Sequence, residues 1–259
     1  MTAAASSAAR RIDWRPATVR QIVEETTAAR TLVLDVPGWP GHRAGQHVDV
    51  RLTAEDGYQA QRSYSIASAP QDPALALTIE RLEDGEVSSY LCGELREGDR
   101  FELRGPIGGY FVYDVDVTGP ALLVAGGSGI VPLMAMLRHR AISLTDDRAR
   151  HSMPVRLLYS SRRGNEVIYR AELERLADGD PSLQVTHTIT REPAAAWNGF
   201  RRRIDRAMLA EVAWPPHERP RVYVCGPTPL VESVATELTA LGHDPVLIRT
   251  ERFGPTGDS

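Results

Sequence analysis

The sequence predicts two domains, an antiparallel β-barrel followed by an α/β domain on a parallel sheet. Three observations carry this reading. From Trp14 to about Tyr113, short runs of alternating hydrophobicity are punctuated by turns such as Pro37-Gly38 and Pro40-Gly41. After Gly119 the runs become continuously apolar and alternate with helical patches. The chain has 259 residues, 42% of them hydrophobic, which is enough for two small domains with proper cores.

Barrel strands are expected at Thr31–Asp35, His47–Leu52, Arg62–Ile66, Leu75–Arg81 and Phe101–Leu103. The parallel strands are expected at ALLVAG, VRLLYSS, LQVTHTIT, RVYVCG and PVLIRT, the last four beginning at Val155, Leu183, Arg221 and Pro245. Helices are expected after the first of these strands and at Val167–Ala177, Ile204–Val212 and Leu230–Leu241. This alternation makes a parallel sheet covered on both faces. The domains are therefore expected at 14–115 and 119–253, with a disordered tail over 1–13 and a short tail over 254–259. The first residues, MTAAASSAARR, lack the apolar region of a secretion signal.

Composition excludes several functions. A formal net charge of -4 with 25% charged residues argues against nucleic-acid binding. No basic amphipathic stretch suggests a membrane surface. The longest apolar run, around 121–137, is broken by Gly126, Gly127 and Gly129 and is shorter than the roughly 20 residues a bilayer span needs. The only cysteines, Cys92 and Cys225, form no CxxC motif, so zinc and iron–sulfur sites are not expected. Redox chemistry would need an organic cofactor. The low cysteine count fits a reducing, cytoplasmic setting, and a monomer is expected.

In open parallel sheets ligands bind beyond the carboxyl ends of the strands. The first parallel strand runs into Gly126-Gly127-Ser128-Gly129-Ile130-Val131-Pro132, where glycines admit a diphosphate close to the backbone and the helix terminus offers N–H groups. Pro132 suits the first turn of that helix and stands where a GxGxxG motif has its last glycine. The rival reading of Ser128 is the nucleophile elbow of a serine hydrolase. Ile130 replaces the small residue that turn needs, and no acid and late histidine follow in order. The second strand ends Tyr159-Ser160-Ser161-Arg162-Arg163, the third ends Thr190-Arg191, and Arg201-Arg202-Arg203 follow. Arginine forks suit a ribose 2′-phosphate, which favours NADPH, with NADH as the alternative.

Six motifs, in order, resemble the ferredoxin–NADP reductase family over about residues 15–253. They are Arg62-Ser63-Tyr64-Ser65, Gly85-Glu86-Val87-Ser88-Ser89-Tyr90-Leu91, Gly105-Pro106-Ile107-Gly108, the glycine loop, Cys225-Gly226-Pro227 and Glu251-Arg252-Phe253.

The resemblance implies an FAD-containing reductase that takes hydride from C4 of NADPH onto flavin N5. Electrons then pass to a separate acceptor protein: a ferredoxin, a flavodoxin or an oxygenase/metalloenzyme component. It also implies residue roles. Arg62, Ser63, Gly85, Val87 and Ser88 would hold the flavin diphosphate, with Ile79 and Arg81 nearby. Tyr64 and Phe253 would cover the two flavin faces, and Ser65 would sit near N5. Gly127, Ser128 and Gly129 would hold the nucleotide diphosphate, and Arg162, Arg163, Thr190, Arg191 and Arg203 its ribose phosphate. Cys225, Gly226 and Pro227 would lie near the nicotinamide, and Glu251 would move charge or protons. The phosphate-binding segment argues for FAD over FMN. A flavin reductase that releases its flavin and a non-catalytic module stay open as alternatives.

Overall fold

The computed structural model describes residues 12–114, 119–143, 154–192 and 197–254. The expected N-terminal tail up to residue 11, the C-terminal tail from 255 and positions 115–118 of the domain boundary lie outside the described residues.

Six strands form the first sheet: β1 (Arg15–Thr26), β2 (Ala29–Asp35), β3 (His47–Thr53), β4 (Gln59–Ser65), β5 (Leu75–Glu80) and β6 (Arg100–Ile107). Their order is β4-β3-β6-β1-β2-β5, with every pairing antiparallel. An antiparallel bridge between Ile66 and Leu77 joins the two outer strands, so the sheet closes into the expected barrel. Leu32, Leu34, Val48, Val50, Leu77 and Leu103 fill its interior. Strand β1 is absent from the sequence expectations. Pro16 and a largely polar outer face hide its alternation, and two register shifts against β2 break its period. Helix α1 (Glu86–Gly93), also unforeseen, caps one end of the barrel by burying Val87 and Leu91.

The second sheet contains β7 (Ala121–Gly126), β8 (Val155–Arg163), β9 (Leu183–Glu192), β10 (Arg221–Pro227) and β11 (Ile248–Phe253). The order is β11-β10-β7-β8-β9, all parallel. Its helices are α2 (Ile130–Ser143), α3 (Arg170–Gly179), α4 (Arg206–Val212) and α5 (Thr228–Ala240). Several boundaries differ from expectation, three of them for a clear local reason. Tyr169 takes a left-handed conformation with φ 59° and is buried, so α3 starts after it. Asp205 caps α4 by accepting from the Met208 N–H at 2.8 Å, so the helix begins at Arg206. Pro245–Leu247 is a 3₁₀ turn, and the last strand runs on through Glu251 to Phe253. Among the described residues, no helix is long and apolar enough to cross a membrane.

One apolar cluster runs through both domains. Ala29, Ala44, Ala67 and Ala76 of the barrel side pack with Met134, Met136 and Leu137 of α2. The connecting segment is wedged between them: Phe111 meets Tyr223 edge-on at 5.6 Å, and the Tyr223 hydroxyl donates to the Val112 carbonyl at 3.1 Å. Around this cluster lies a polar seam. Arg138 of α2 grips Glu172 of α3 through Nε and Nη2, at 2.8 and 2.6 Å, and donates from Nη1 to the barrel carbonyl of Ala67 at 2.8 Å. The Tyr169 hydroxyl donates to Thr78, which shares a 2.7 Å hydrogen bond with Thr31.

Gly45 sits at the tightest point of this junction. Its φ is 97°, and a Cβ there would stand 1.9 Å from the Phe111 carbonyl oxygen and 2.8 Å from Met136 Cε. Replacing Gly45 with Ala is expected to destabilise the protein by about 2 kcal/mol or more, through backbone strain and forced separation of the domains. Equilibrium denaturation checks this, and an unchanged midpoint would remove Gly45 from the junction's stability.

Candidate functional site

The sheet reverses its winding between β7 and β10, and a crevice opens beyond their carboxyl ends. Strand β7 ends in Gly126, and β10 carries Gly226 just before its last residue. A Cβ on Gly129 would lie 2.1 Å from the Cys225 carbonyl oxygen, and one on Gly126 would lie 2.7 Å from Leu230. Glycine is therefore demanded by the close approach of the two strand ends. The turn Gly127–Gly129 leads into α2, so its N–H groups face the crevice as an anion-binding cradle. That cradle fits a dinucleotide diphosphate.

The hydrolase reading of Ser128 fails on geometry. A nucleophile elbow holds its serine in a strained turn, whereas Tyr169 and Arg219 are the non-glycine residues with positive φ among the described residues. Ser128 instead lies in a relaxed 3₁₀ turn.

The arginine clusters do come together. Strands β8 and β9 are neighbours, with Ser161 level with Ile189, which puts Arg162 and Arg191 at adjacent strand ends. A parallel bridge between Thr188 and Phe200, with the Thr188 hydroxyl donating to the Arg202 carbonyl, folds the 201–203 segment alongside. The side chains differ in use. Arg163 pairs with Glu166 at 3.2 Å and Arg202 with Asp205 at 2.7 Å. Arg162, Arg191 and Arg203 are exposed and have no ion-pair partner among the described residues. Thr190 spends its hydroxyl on the Ser161 carbonyl, at 3.4 Å.

On the barrel side, Arg62, Ser63, Tyr64 and Ser65 end strand β4. Arg62 is exposed, with Nη1 on its neighbour's carbonyl at 2.6 Å and no carboxylate partner among the described residues. Helix α1 packs against β4 and β5 and is preceded by Gly85 at its N-cap, where a Cβ would stand 2.3 Å from Ser88 Oγ. The first helical bond runs from the Ser89 N–H to the Gly85 carbonyl at 2.8 Å. The N–H groups of Glu86, Val87 and Ser88 thus lie ahead of the helical ladder, suited with Arg62 to a second diphosphate. The Ser88 hydroxyl closes its own turn, accepting from Leu82 N and donating to the Gly85 carbonyl. The Val87 and Ile79 side chains lie in the barrel core, so the wall they build is apolar. Arg81 is exposed, and its N–H is held by the Ala28 carbonyl at 2.7 Å.

Two residues have no signal in the motifs. Asp49 accepts from Ser63 Oγ at 2.6 Å and from Arg104 Nε at 2.9 Å, a brace that holds β4 in place. Glu80 receives the Ser128 N–H at 3.2 Å across the domain boundary. Strand alternation was the signal for Glu80, since it must face away from the buried Ile79.

The last two strands complete the site. Cys225 is level with Glu251, Gly226 with Arg252 and Pro227 with Phe253. Cys225 is buried, and burial together with the nearby Glu251 pushes its thiol well above the usual range, so it is a neutral thiol. Tyr64 is half-buried against the barrel core, and burial raises its phenol likewise. Ser65 of the barrel lies close enough to Glu251 to favour its charged form, and burial outweighs that influence to push its carboxyl up to about 7. A carboxyl that titrates near neutrality therefore bridges the two domains beside the crevice.

Comparison with known proteins finds matches to both halves of the chain. Residues 17–113 match the model of the oxidoreductase FAD-binding domain, and residues 123–236 match that of the oxidoreductase NAD-binding domain. The glycine betaine monooxygenase reductase subunit of Chromohalobacter salexigens is 32% identical over 91% of this chain. The ferredoxin reductase component of 3-ketosteroid-9-alpha-monooxygenase from Mycolicibacterium smegmatis is also 32% identical over 91% of the chain. The chain spans 63% and 64% of the length of these two relatives. Among solved structures, the FAD/NAD-binding domain of nitric oxide dioxygenase from Vibrio cholerae superposes with a TM-score of 0.80 at 26% identity, covering 95% of this chain and 100% of that one. The ferredoxin NADP+ reductase of Neisseria gonorrhoeae, with bound FAD and NADP, has the same fold, with a TM-score of 0.77 at 20% identity over 92% of this chain and 98% of that one.

The raised carboxyl has a measurable consequence. Glu251 goes from an ordinary value of 4.5 to about 7 on folding, so the folded protein binds more protons than the unfolded chain between those values. Its contribution is present in full below 4.5 and is lost as pH rises to about 7. Denaturation of the wild type and of Glu251→Gln across this window is expected to show the wild type losing as much as about 3 kcal/mol relative to the variant. Parallel pH profiles would contradict the burial.

Proposed function

We propose that this chain, which belongs to the ferredoxin–NADP reductase family, is the reductase of a multi-component redox system. It draws on NADPH, holds FAD, and delivers electrons to a separate acceptor protein. The observation that carries this reading is the meeting of Ser65 of the barrel with Glu251 of the sheet, beside the switch-point crevice. Two ring systems held on either side of that meeting point would lie close enough for direct transfer.

When bound, FAD supplies a centre that accepts two electrons as hydride and gives them up singly. The chain's residues supply binding and orientation. Arg62 and the free N–H groups of α1 take the flavin diphosphate. Tyr64 would cover one face of its ring, and Phe253, half-buried at the end of β11, would cover the other. Ser65 and Glu251 hold a proton at the junction, with Glu251 in the neutral range where it can both give and accept. Gly127, Ser128 and Gly129 take the nucleotide diphosphate, while neutral Cys225 backs the nicotinamide without competing as a nucleophile. The exposed forks of Arg162, Arg191 and Arg203 favour NADPH over NADH. An oxygenase component is the acceptor class that the names of the two relatives support, with a ferredoxin or flavodoxin as the nearest alternatives. Both cysteines are free and buried, which suits a reducing cytoplasm.

The purified protein is expected to be yellow, to bleach on anaerobic addition of NADPH and to keep its flavin through gel filtration after reduction. A colourless protein would sink the reading, and flavin lost on reduction would mark a flavin reductase instead. Replacing Arg162 and Arg191 together with Ala is expected to raise the KM for NADPH about tenfold or more and to leave that for NADH unchanged. Equal effects on both nucleotides would refute the assigned phosphate site.

A further inference from the structure

The glycine cradle has a polar neighbour from the other domain. Glu80, the last residue of β5, places its Oε2 3.2 Å from the Ser128 N–H. The same oxygen lies 3.6 Å from the point where a Cβ on Gly127 would stand. It therefore occupies the mouth of the cradle. Strand alternation sends Ile79 into the barrel core and Glu80 across the boundary, so this placement follows from the barrel's own register. Among the described residues no arginine or histidine forms an ion pair with Glu80. No such pair offsets the carboxylate at the place where a diphosphate would bring more negative charge.

We propose that Glu80 is a built-in competitor for the dinucleotide diphosphate. Its carboxylate takes the Ser128 N–H, a charge-assisted hydrogen bond that also ties the barrel to the turn. An incoming diphosphate needs the same N–H and repels the same charge, so Glu80 must swing aside. The effect is to weaken nucleotide binding and to favour release of the oxidised nucleotide once its hydride has gone. A carboxylate that merely accepted from a ribose hydroxyl would do the reverse and strengthen binding.

This inference rests on the functional reading above, and the test separates the two. NADP+ and NAD+ are titrated calorimetrically into the flavin-loaded wild type, Glu80→Gln and Glu80→Ala, at low and moderate salt. Both variants are expected to bind about five- to tenfold more tightly than the wild type, with the gap narrowing as salt rises. Glu80→Gln keeps the size of the side chain and serves if Glu80→Ala loosens the domain contact. Affinities equal to that of the wild type, or weaker, would overturn the competitor role and leave the reductase reading standing. Absence of binding in all three proteins would overturn the reductase reading and this inference with it.

Discussion

The apolar junction between barrel and sheet is the constraint on which everything else here depends. Chemistry between two bound rings needs their sites held within a few ångströms, and neither domain alone contains both. The shared cluster of Ala44, Ala67, Met134 and Met136, with Phe111 and Tyr223 across the connection, removes freedom between the domains by burial. The seam of Arg138, Glu172, Thr78 and Tyr169 then sets direction, because its hydrogen bonds are satisfied in one relative orientation. Arg138 is held positive by Glu172 although burial opposes its charge, so the ion pair is tied to the closed junction.

From that junction follows the character of the site. The strand ends at Ala125–Gly129 and Cys225–Pro227 approach so closely that side chains are excluded, and what remains exposed is backbone N–H and carbonyl. A site of this kind reads shape and charge through main-chain dipoles that cannot be mutated away. The side chains that do reach it, Ser65, Glu251 and Glu80, come from strands of different sheets and owe their altered environment to the packing. Glu251 titrates near neutrality because β11 seats it against the barrel.

Much of this was legible in the sequence. The switch from period-2 alternation to continuous apolar runs marks the change of fold class at about Gly119, and the glycine loop follows an apolar strand as a diphosphate cradle requires. The ordered motifs located Arg62–Ser65 and Glu251–Phe253 at the ends of β4 and β11. Strand β1 was not legible, because a strand paired on both sides through its backbone needs few apolar side chains to announce it. Glu80 was not legible as a contact either, since its partner is a backbone N–H 48 positions away.

The sequence by itself determined which elements form and which residue types stand at their ends. Periodicity, turn residues and strand-terminal glycines are local properties of the chain. Only the tertiary structure decided which arginines are unpaired, with Arg163 and Arg202 tied to carboxylates while Arg162, Arg191 and Arg203 have no such partner among the described residues. It alone decided that Ser65 meets Glu251 and that Glu80 meets Ser128. The physical reason is common to all of these. Burial, desolvation and charge pairing are set by what packs alongside from elsewhere in the chain, and that information is not carried by any one segment.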